Sequence, residues 1–395
     1  MEKVFITGYG IISGLGNGVE NNIEQLKNGK SGIGKAQNFA SKYTDQLPFS
    51  EVKMSTLNLL DLTETPKNTG ITRTTLLAYV AFQNAINQAN LSNQDLSSFS
   101  TGIVSSTTIG GMCHFNELYQ DANLKGHASS YIHSYGQADH TKRLINKYNL
   151  KGFSSTINTA CSSSSNAIMF GARLIKSGRL KRVIVGGTDA LGKFTVNGFN
   201  SLMILSSSPC KPFDKSRDGL TLGEGAGYLV LEAESVCDQK HKLAEVVGYG
   251  NSNDAFHPST TSEEAHGPTY AMARALKFAQ LDPQKIGYIN AHGTGTINND
   301  ETELTAFKNI FGKNIPSFNS TKSYTGHTLA ASGAIESIFS IETLNSGELY
   351  QSLNCTKPIH NSGIIHKPSN KEINYVMTNA FGFGGNCTSL IYKKV

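Results

Sequence analysis

The sequence has 395 residues, 38% of them hydrophobic, with 39 glycines, no tryptophan and a formal net charge of +5. That length exceeds one simple core and implies two domains or two similar halves, and so many glycines suit an α/β protein with tight turns. Mild, scattered positive charge argues against a nucleic-acid ligand and fits an acidic protein partner better, and apolar runs no longer than a strand exclude a membrane span.

Val4 to Gly10 reads as a first strand running into glycine turns, not as a signal peptide. Its Gly-Tyr-Gly-Ile turn is no dinucleotide fingerprint, because no spaced Gly-x-Gly-x-x-Gly opens a helix there. A helix is expected over Glu20–Asn28, a polar surface excursion over residues 40–70, and a helix over Arg73–Ala89 whose stripe of Leu76, Leu77, Val80, Ala81 and Ala85 faces a core. Gly102–Ser106 is the next strand. Residues 113–150 read as polar and helical, with His114, His127, His133 and His140 spaced for a solvated surface rather than for a metal.

Ser155 to Ile168 is the most informative stretch. A short strand ends at Cys161, and a helix follows to Gly178. The serines after Cys161 offer hydroxyls to the free N–H groups of the first helical turn, and a thiol placed there feels the positive end of the helix dipole. Further strands are expected at Val183–Gly187 and Tyr228–Glu232. Glu245-Val246-Val247-Gly248-Tyr249-Gly250 then echoes Phe5-Ile6-Thr7-Gly8-Tyr9-Gly10, which points to a duplicated half. Beyond it come a helix over Tyr270–Gln280, a strand over Ile286–Ala291 and a helix over Ile335–Leu344. Strand ends carry Asn290-Ala291-His292-Gly293-Thr294-Gly295-Thr296, Lys322 with Gly326-His327, and Gly382-Phe383-Gly384-Gly385. In an α/β sheet such ends converge on one crevice, so Cys161, His292 and His327 can meet. The six cysteines include no Cys-x-x-Cys pair, which argues against zinc and disulfides and for a reducing cytoplasm; no cofactor and no metal are expected.

These four motifs, in this order, resemble the elongating β-ketoacyl-acyl carrier protein synthases over essentially the whole chain. The resemblance implies the thiolase fold: two βαβαβαββ halves in a five-layer α-β-α-β-α sandwich. Residues 1–240 would form the half carrying the nucleophile and 241–395 the half carrying the two histidines. It implies decarboxylative condensation of an acyl-enzyme with a malonyl carrier, in fatty acid biosynthesis. Cys161 would be the nucleophile, His292 and His327 the enolate stabilisers, and Lys322 a structural partner of Glu303. The backbone N–H groups of Cys161 and Phe383 would form the oxyanion hole, with the Phe383 ring a gate packed near Ile109. Thr294 and Thr296 would hold the pantetheine arm, and Ile109 and Met112 the acyl tunnel. Acyl- and malonyl-loaded carrier protein would be the partners, together with a second subunit in a homodimer or a heterodimer with a sister chain.

The sequence departs from the resemblance twice. Ile204–Cys210 lacks the arginine expected before Pro212-Phe213-Asp214, and Lys125-Gly126-His127-Ala128-Ser129-Ser130-Tyr131 replaces a proline- and phenylalanine-rich segment. Both bear on carrier docking and chain-length control, and the shortened loops with Gly326-His327-Thr328-Leu329-Ala330-Ala331-Ser332-Gly333 are similar to ketosynthases of aryl polyene or other type II polyketide pathways, the alternative. A catalytically silent chain-length-factor-like subunit would lack the nucleophile. A CoA-dependent thiolase would need Cys387 as a second catalytic cysteine.

Overall fold

The structure, a computed structural model, describes residues 2–67, 69–124 and 129–395; the Lys125–Ala128 part of the divergent segment, with His127, lies outside them. Ten strands form one continuous path. Those of the first half are β1 (Val4–Ser13), β2 (Thr101–Ser106), β3 (Ser154–Ile157), β4 (Arg182–Asp189) and β5 (Gly225–Ala233). Those of the second are β6 (Ala244–Asn253), β7 (Tyr288–Asn290), β8 (Ser317–Asn319), β9 (Tyr375–Phe381) and β10 (Asn386–Lys393). The spatial order is β3-β2-β4-β5-β1 followed by β6-β10-β9-β7-β8, so each half repeats the other outward from the β1–β6 seam. In both, the three strands farthest from the seam run parallel and the remaining pairs antiparallel. The seam is short, pairing only Phe5 with Glu245 and Ile6 with Ala244.

Five helices complete the layers: α1 (Arg73–Gln88), α2 (Ser163–Lys176), α3 (His266–Ala279), α4 (Ile297–Phe311) and α5 (Ser332–Ser346). One apolar cluster joins α2 and α5 to the inner faces of both halves through Val183, Val185, Leu229, Ile335, Ile338, Val376 and Leu390. A second lies between α1 and the outer face of the first half, and a third between α3, α4 and the outer face of the second. This is the expected α-β-α-β-α order. Helix α5 is buried nearly all round, as a helix between two sheets must be.

The echoed Gly-Tyr-Gly has a packing cause. A Cβ on Gly10 would stand 2.1 Å from the Ala81 carbonyl oxygen, and one on Gly250 would stand 2.0 Å from that of Ala271. Gly8 and Gly248 meet Ala85 and Ala275 in the same way. Each outer helix thus lays its backbone on two strand glycines, using alanines spaced four apart: Ala81, Ala85 and Ala89 on one side, Ala271, Ala275 and Ala279 on the other. Gly250→Ala is expected to push α3 off β6 and to cost about 1–3 kcal/mol, the range for overpacking, read as a lower denaturant midpoint at unchanged slope.

Two expectations need correction. The 40–70 stretch is not wholly irregular: Thr56–Leu62 is helical and buries Leu59 and Leu60 against α1. His140 is not a surface residue; it is 2% exposed, with Nε2 2.8 Å from Ser105 Oγ. The polar pattern around it on helix Asp139–Tyr148 conceals an inward face carrying His140, Thr141 and Leu144. No helix among the described residues is long and apolar enough to cross a membrane.

Candidate active site

Cys161 stands between the end of β3 and the start of α2. Ala160, just before it, has φ +53°, a left-handed conformation for a residue with a Cβ. Asn158 Oδ1 accepts the Ala160 N–H, and Ser163 Oγ donates to the Ala160 carbonyl while accepting the Thr159 N–H. That turn aims the thiol into the crevice. The serines do not cap α2 as local rules expect. Ser162 makes no capping bond, and Ser164 Oγ accepts the Ala334 N–H from α5. Tertiary partners, the Asn386 amide oxygen for Ser162 and the Ala334 N–H for Ser164, took hydroxyls that the helix start would have used.

The sulfur of Cys161 and ring nitrogens of His292 and His327 all lie within 4.8 Å of one another, and all three residues are buried. The two imidazoles meet edge to face, with ring centroids 5.6 Å apart. Their tautomers follow from their outer partners. His327 Nδ1 accepts the Leu329 N–H at 3.2 Å and lies 3.0 Å from Ser332 Oγ, so its proton sits on Nε2. His292 Nδ1 lies 3.3 Å from Lys322 Nζ, which can only donate, so here too Nε2 carries the proton. The His327 Nε2 is buried and has no hydrogen-bond partner among the described residues. Burial first, then the neighbouring Lys322 charge, holds both imidazoles well below their usual range, and they stay neutral at pH 7. The site therefore holds two neutral N–H donors facing the thiol.

The thiol itself is not a ready thiolate. Burial pushes it up to about 11, against the opposing pull of Lys322 and of the Phe383 and Cys161 backbone N–H groups. The dipole argument from the sequence points toward thiolate and leaves out desolvation, which outweighs every lowering influence here. Alkylation of Cys161 by iodoacetamide is expected to accelerate about tenfold per pH unit between roughly pH 6 and 9, as the thiolate share grows. Peptide mapping by mass spectrometry reads it, and a plateau below pH 8 would contradict this electrostatic picture.

Lys322 corrects another expectation. Its ammonium pairs with Glu336 on α5, and donates to the His292 carbonyl at 2.7 Å. Glu303, the expected partner, lies on α4 beneath the histidine loop. It accepts the backbone N–H groups of His292 (2.9 Å) and Gly293 (2.8 Å), with Asn379 Nδ2 at 3.3 Å. Two carboxylates thus share the expected task, one holding the loop backbone and the other the lysine. Burial raises both to about 7.

A cavity of about 270 Å³ reaches the thiol. Cys161, His292, His327, Thr294, Thr296, Phe199 and Phe383 contribute to its wall. Thr294 and Thr296 lie on this wall, their hydroxyls 2.9 Å apart. Ile109 and Met112 do not line this cavity, and Ile109 is buried against Gly192 instead. The ring that stacks on Phe383 is Phe199, from helix Lys193–Ser201, with centroids 5.8 Å apart. Neither Phe199 nor the Pro258–Thr261 loop wall stood out in the sequence, since an isolated aromatic and a polar loop carry no motif. Gly382 touches the nucleophile turn directly: a Cβ there would be 2.5 Å from the Thr159 carbonyl oxygen.

Residues 1–236 match the N-terminal domain of beta-ketoacyl synthases and residues 243–356 the C-terminal domain. The chain belongs to the beta-ketoacyl synthase family. Within that family it is 31% identical over 412 residues to 3-oxoacyl-[acyl-carrier-protein] synthase 2 of Staphylococcus aureus, covering 100% of this chain and 98% of the relative. Among solved structures, the ishigamide ketosynthase/chain length factor superposes with a TM-score of 0.92 at 26% identity, over 100% of this chain and 99% of that one. A type II PKS ketosynthase, AntDE, bound to its acyl-carrier protein AntF, superposes with a TM-score of 0.89 at 25% identity, again over 100% and 99%. As a member of the family the chain is an acyltransferase-class ketosynthase.

Proposed function

We propose that this ketosynthase joins an acyl group held on Cys161 to a malonyl unit delivered on an acyl carrier protein, with loss of carbon dioxide. The observation that carries the reading is the pair of neutral, buried imidazoles, each with its proton on the nitrogen free to face Cys161.

In the first half-reaction the Cys161 sulfur attacks the acyl thioester. Its proton leaves with the carrier thiol, and the acyl group stays on the enzyme. The tetrahedral oxygen is held by the backbone N–H groups of Cys161 and Phe383, both of which favour negative charge at the sulfur. In the second, the malonyl carboxylate departs as carbon dioxide and leaves an enolate on the thioester oxygen. The Nε2–H groups of His292 and His327 stabilise it, and being neutral they need not give up a proton to do so. The enolate carbon attacks the acyl carbon, the Cys161 thiolate leaves, and one proton from solvent restores the thiol. Lys322 holds the His292 loop and its tautomer and does not act as a base. The hydroxyls of Thr294 and Thr296, on the cavity wall, are set to bond the amides of the pantetheine arm.

Fatty acid elongation is the pathway favoured by the Staphylococcus aureus relative. A polyketide or polyene pathway is the second reading, favoured by the likeness to the ishigamide and AntDE ketosynthases. A silent chain-length-factor role is opposed by the intact Cys161, His292 and His327 cluster. We infer a second ketosynthase-like subunit, a further copy or a sister chain, from the exposed Phe115, Tyr119, Ile132 and Tyr135 and from the open edge of β3. The six cysteines, all free, suit a cytoplasmic setting. The test is mass spectrometry of the protein after incubation with acyl-carrier and acyl-CoA donors of graded length. The expected result is one acyl group mapped to Cys161, passed on when malonyl-carrier is added. An adduct on Cys387 or Cys113 would refute the assignment.

A further inference from the structure

We propose that Asn386 is a positioning residue that sets the two oxyanion-binding N–H groups, those of Cys161 and Phe383, at their working separation. The inference rests on the condensing function proposed above and adds a residue that the motifs did not single out.

Those two donors belong to different halves of the chain, so something must hold one loop against the other. Residues 382–386 form a tight loop around Phe383, closed by the Gly382 N–H on the Asn386 carbonyl at 2.8 Å. The Asn386 side chain then pins this loop to the nucleophile turn. Its single oxygen, Oδ1, accepts Ser162 Oγ–H at 2.8 Å, Asn166 Nδ2–H at 2.8 Å and Asn251 Nδ2–H at 3.0 Å, with Thr388 Oγ1 at 3.4 Å. Ser162 directly follows Cys161, Asn166 lies on α2, and Asn251 on β6. Asn166 closes the network: its Oδ1 accepts from Asn251 and Thr388, and its Nδ2 also donates to Thr159 Oγ1. Most of these donors are charge-neutral groups with little access to water, so removing the shared acceptor leaves them competing for the Thr159 oxygens. Gly382, with no room for a Cβ against Thr159 and Cys161, allows the two backbones to approach this closely. The His292 and His327 donors hang from other loops and make none of these bonds.

The network therefore serves acyl transfer and not decarboxylation, and the two half-reactions separate it from a general structural role. Acylation of Cys161 by an acyl carrier is followed in the wild type, Asn386→Leu and Asn386→Asp. Carbon dioxide release from malonyl-carrier is followed in Cys161→Gln with and without Asn386→Leu. Displacing one oxyanion donor approaches the cost of losing it, so Asn386→Leu is expected to slow the maximal acylation rate about 10- to 100-fold at little change in the half-saturating donor concentration. Asn386→Asp keeps an oxygen at the acceptor position and should stay within about threefold of wild type. Carbon dioxide release should agree within about threefold between Cys161→Gln with and without the leucine, because its donors are untouched. Wild-type acylation by Asn386→Leu, an Asn386→Asp variant as slow as the leucine, or a parallel fall in carbon dioxide release would each overturn the proposal. If Asn386→Leu fails to fold by circular dichroism, Ser162→Ala replaces it. Acylation slowed with carbon dioxide release retained supports the proposal, and a wild-type acylation rate overturns it. A wild-type protein that takes no acyl group from any carrier would instead sink the condensing function itself, and this inference with it.

Discussion

A Cys161→Gln variant is expected to form no β-ketoacyl product at all while still releasing carbon dioxide from malonyl-carrier. In the proposed mechanism the acyl chain rides on the Cys161 sulfur, so without it there is no electrophile for the enolate to attack. Decarboxylation has no such need. It requires that negative charge developing on the thioester oxygen meet a donor, and the Nε2–H groups of His292 and His327 remain in place because their outer bonds, to Lys322, Leu329 and Ser332, do not involve Cys161. A glutamine amide also puts a carbonyl where the acyl-enzyme carbonyl would lie, within reach of the Cys161-site and Phe383 N–H groups, and so mimics the loaded state. Product analysis and carbon dioxide release, measured on the same preparation, check it. Condensation persisting in this variant would move the nucleophile elsewhere.

His327→Ala is expected to do the reverse. Removal of one preorganised donor from a buried site costs on the order of 10²–10³ in rate, and carbon dioxide release should fall by that factor. Acyl-enzyme should still form on Cys161, because the oxyanion donors proposed for that step are backbone groups. The pH dependence gives an independent check. Burial holds both imidazoles far below 6.5, so they remain neutral as the pH falls from 8 to 6, the window in which the buried Glu303 and Glu336 carboxyls titrate, and the imidazole nitrogen resonances should stay flat across it. An imidazole resonance titrating near 6.5 would mean that a histidine protonates there and that its surroundings admit water. Decarboxylation at the wild-type rate in His327→Ala would overturn the division of labour between thiol and imidazoles.

Much of the candidate site was legible in the sequence because it sits at strand ends. Cys161 follows β3, His292 follows β7, Lys322 and His327 follow β8, and Phe383 follows β9. A strand end is a local feature, marked by a hydrophobic run giving way to glycines and hydroxyls, and the layered fold then brings such ends together whatever else the sequence does. The glycine echo was equally local, though its cause lay in helices more than 20 residues away in each half: Gly10 against Ala81, Gly250 against Ala271.

What the tertiary structure alone decided is which polar group answers which. Both Glu303 and Glu336 were available to Lys322 by chemistry, and only the packing of α5 across the site selects Glu336. The serines after Cys161 satisfy a local capping rule on paper, yet Ser162 turns to Asn386, 224 residues on, and Ser164 to Ala334, 170 residues on. Phe383 finds Phe199 and not Ile109. The thiol, favoured by a helix start, is carried up to about 11 by burial. The physical reason is common to all four. Residue type and spacing along the chain determine backbone form and the kind of chemistry on offer, because those depend on near neighbours. Partner choice and desolvation depend on which surfaces are driven out of water together, and that is settled only when two sheets close on the helices between them.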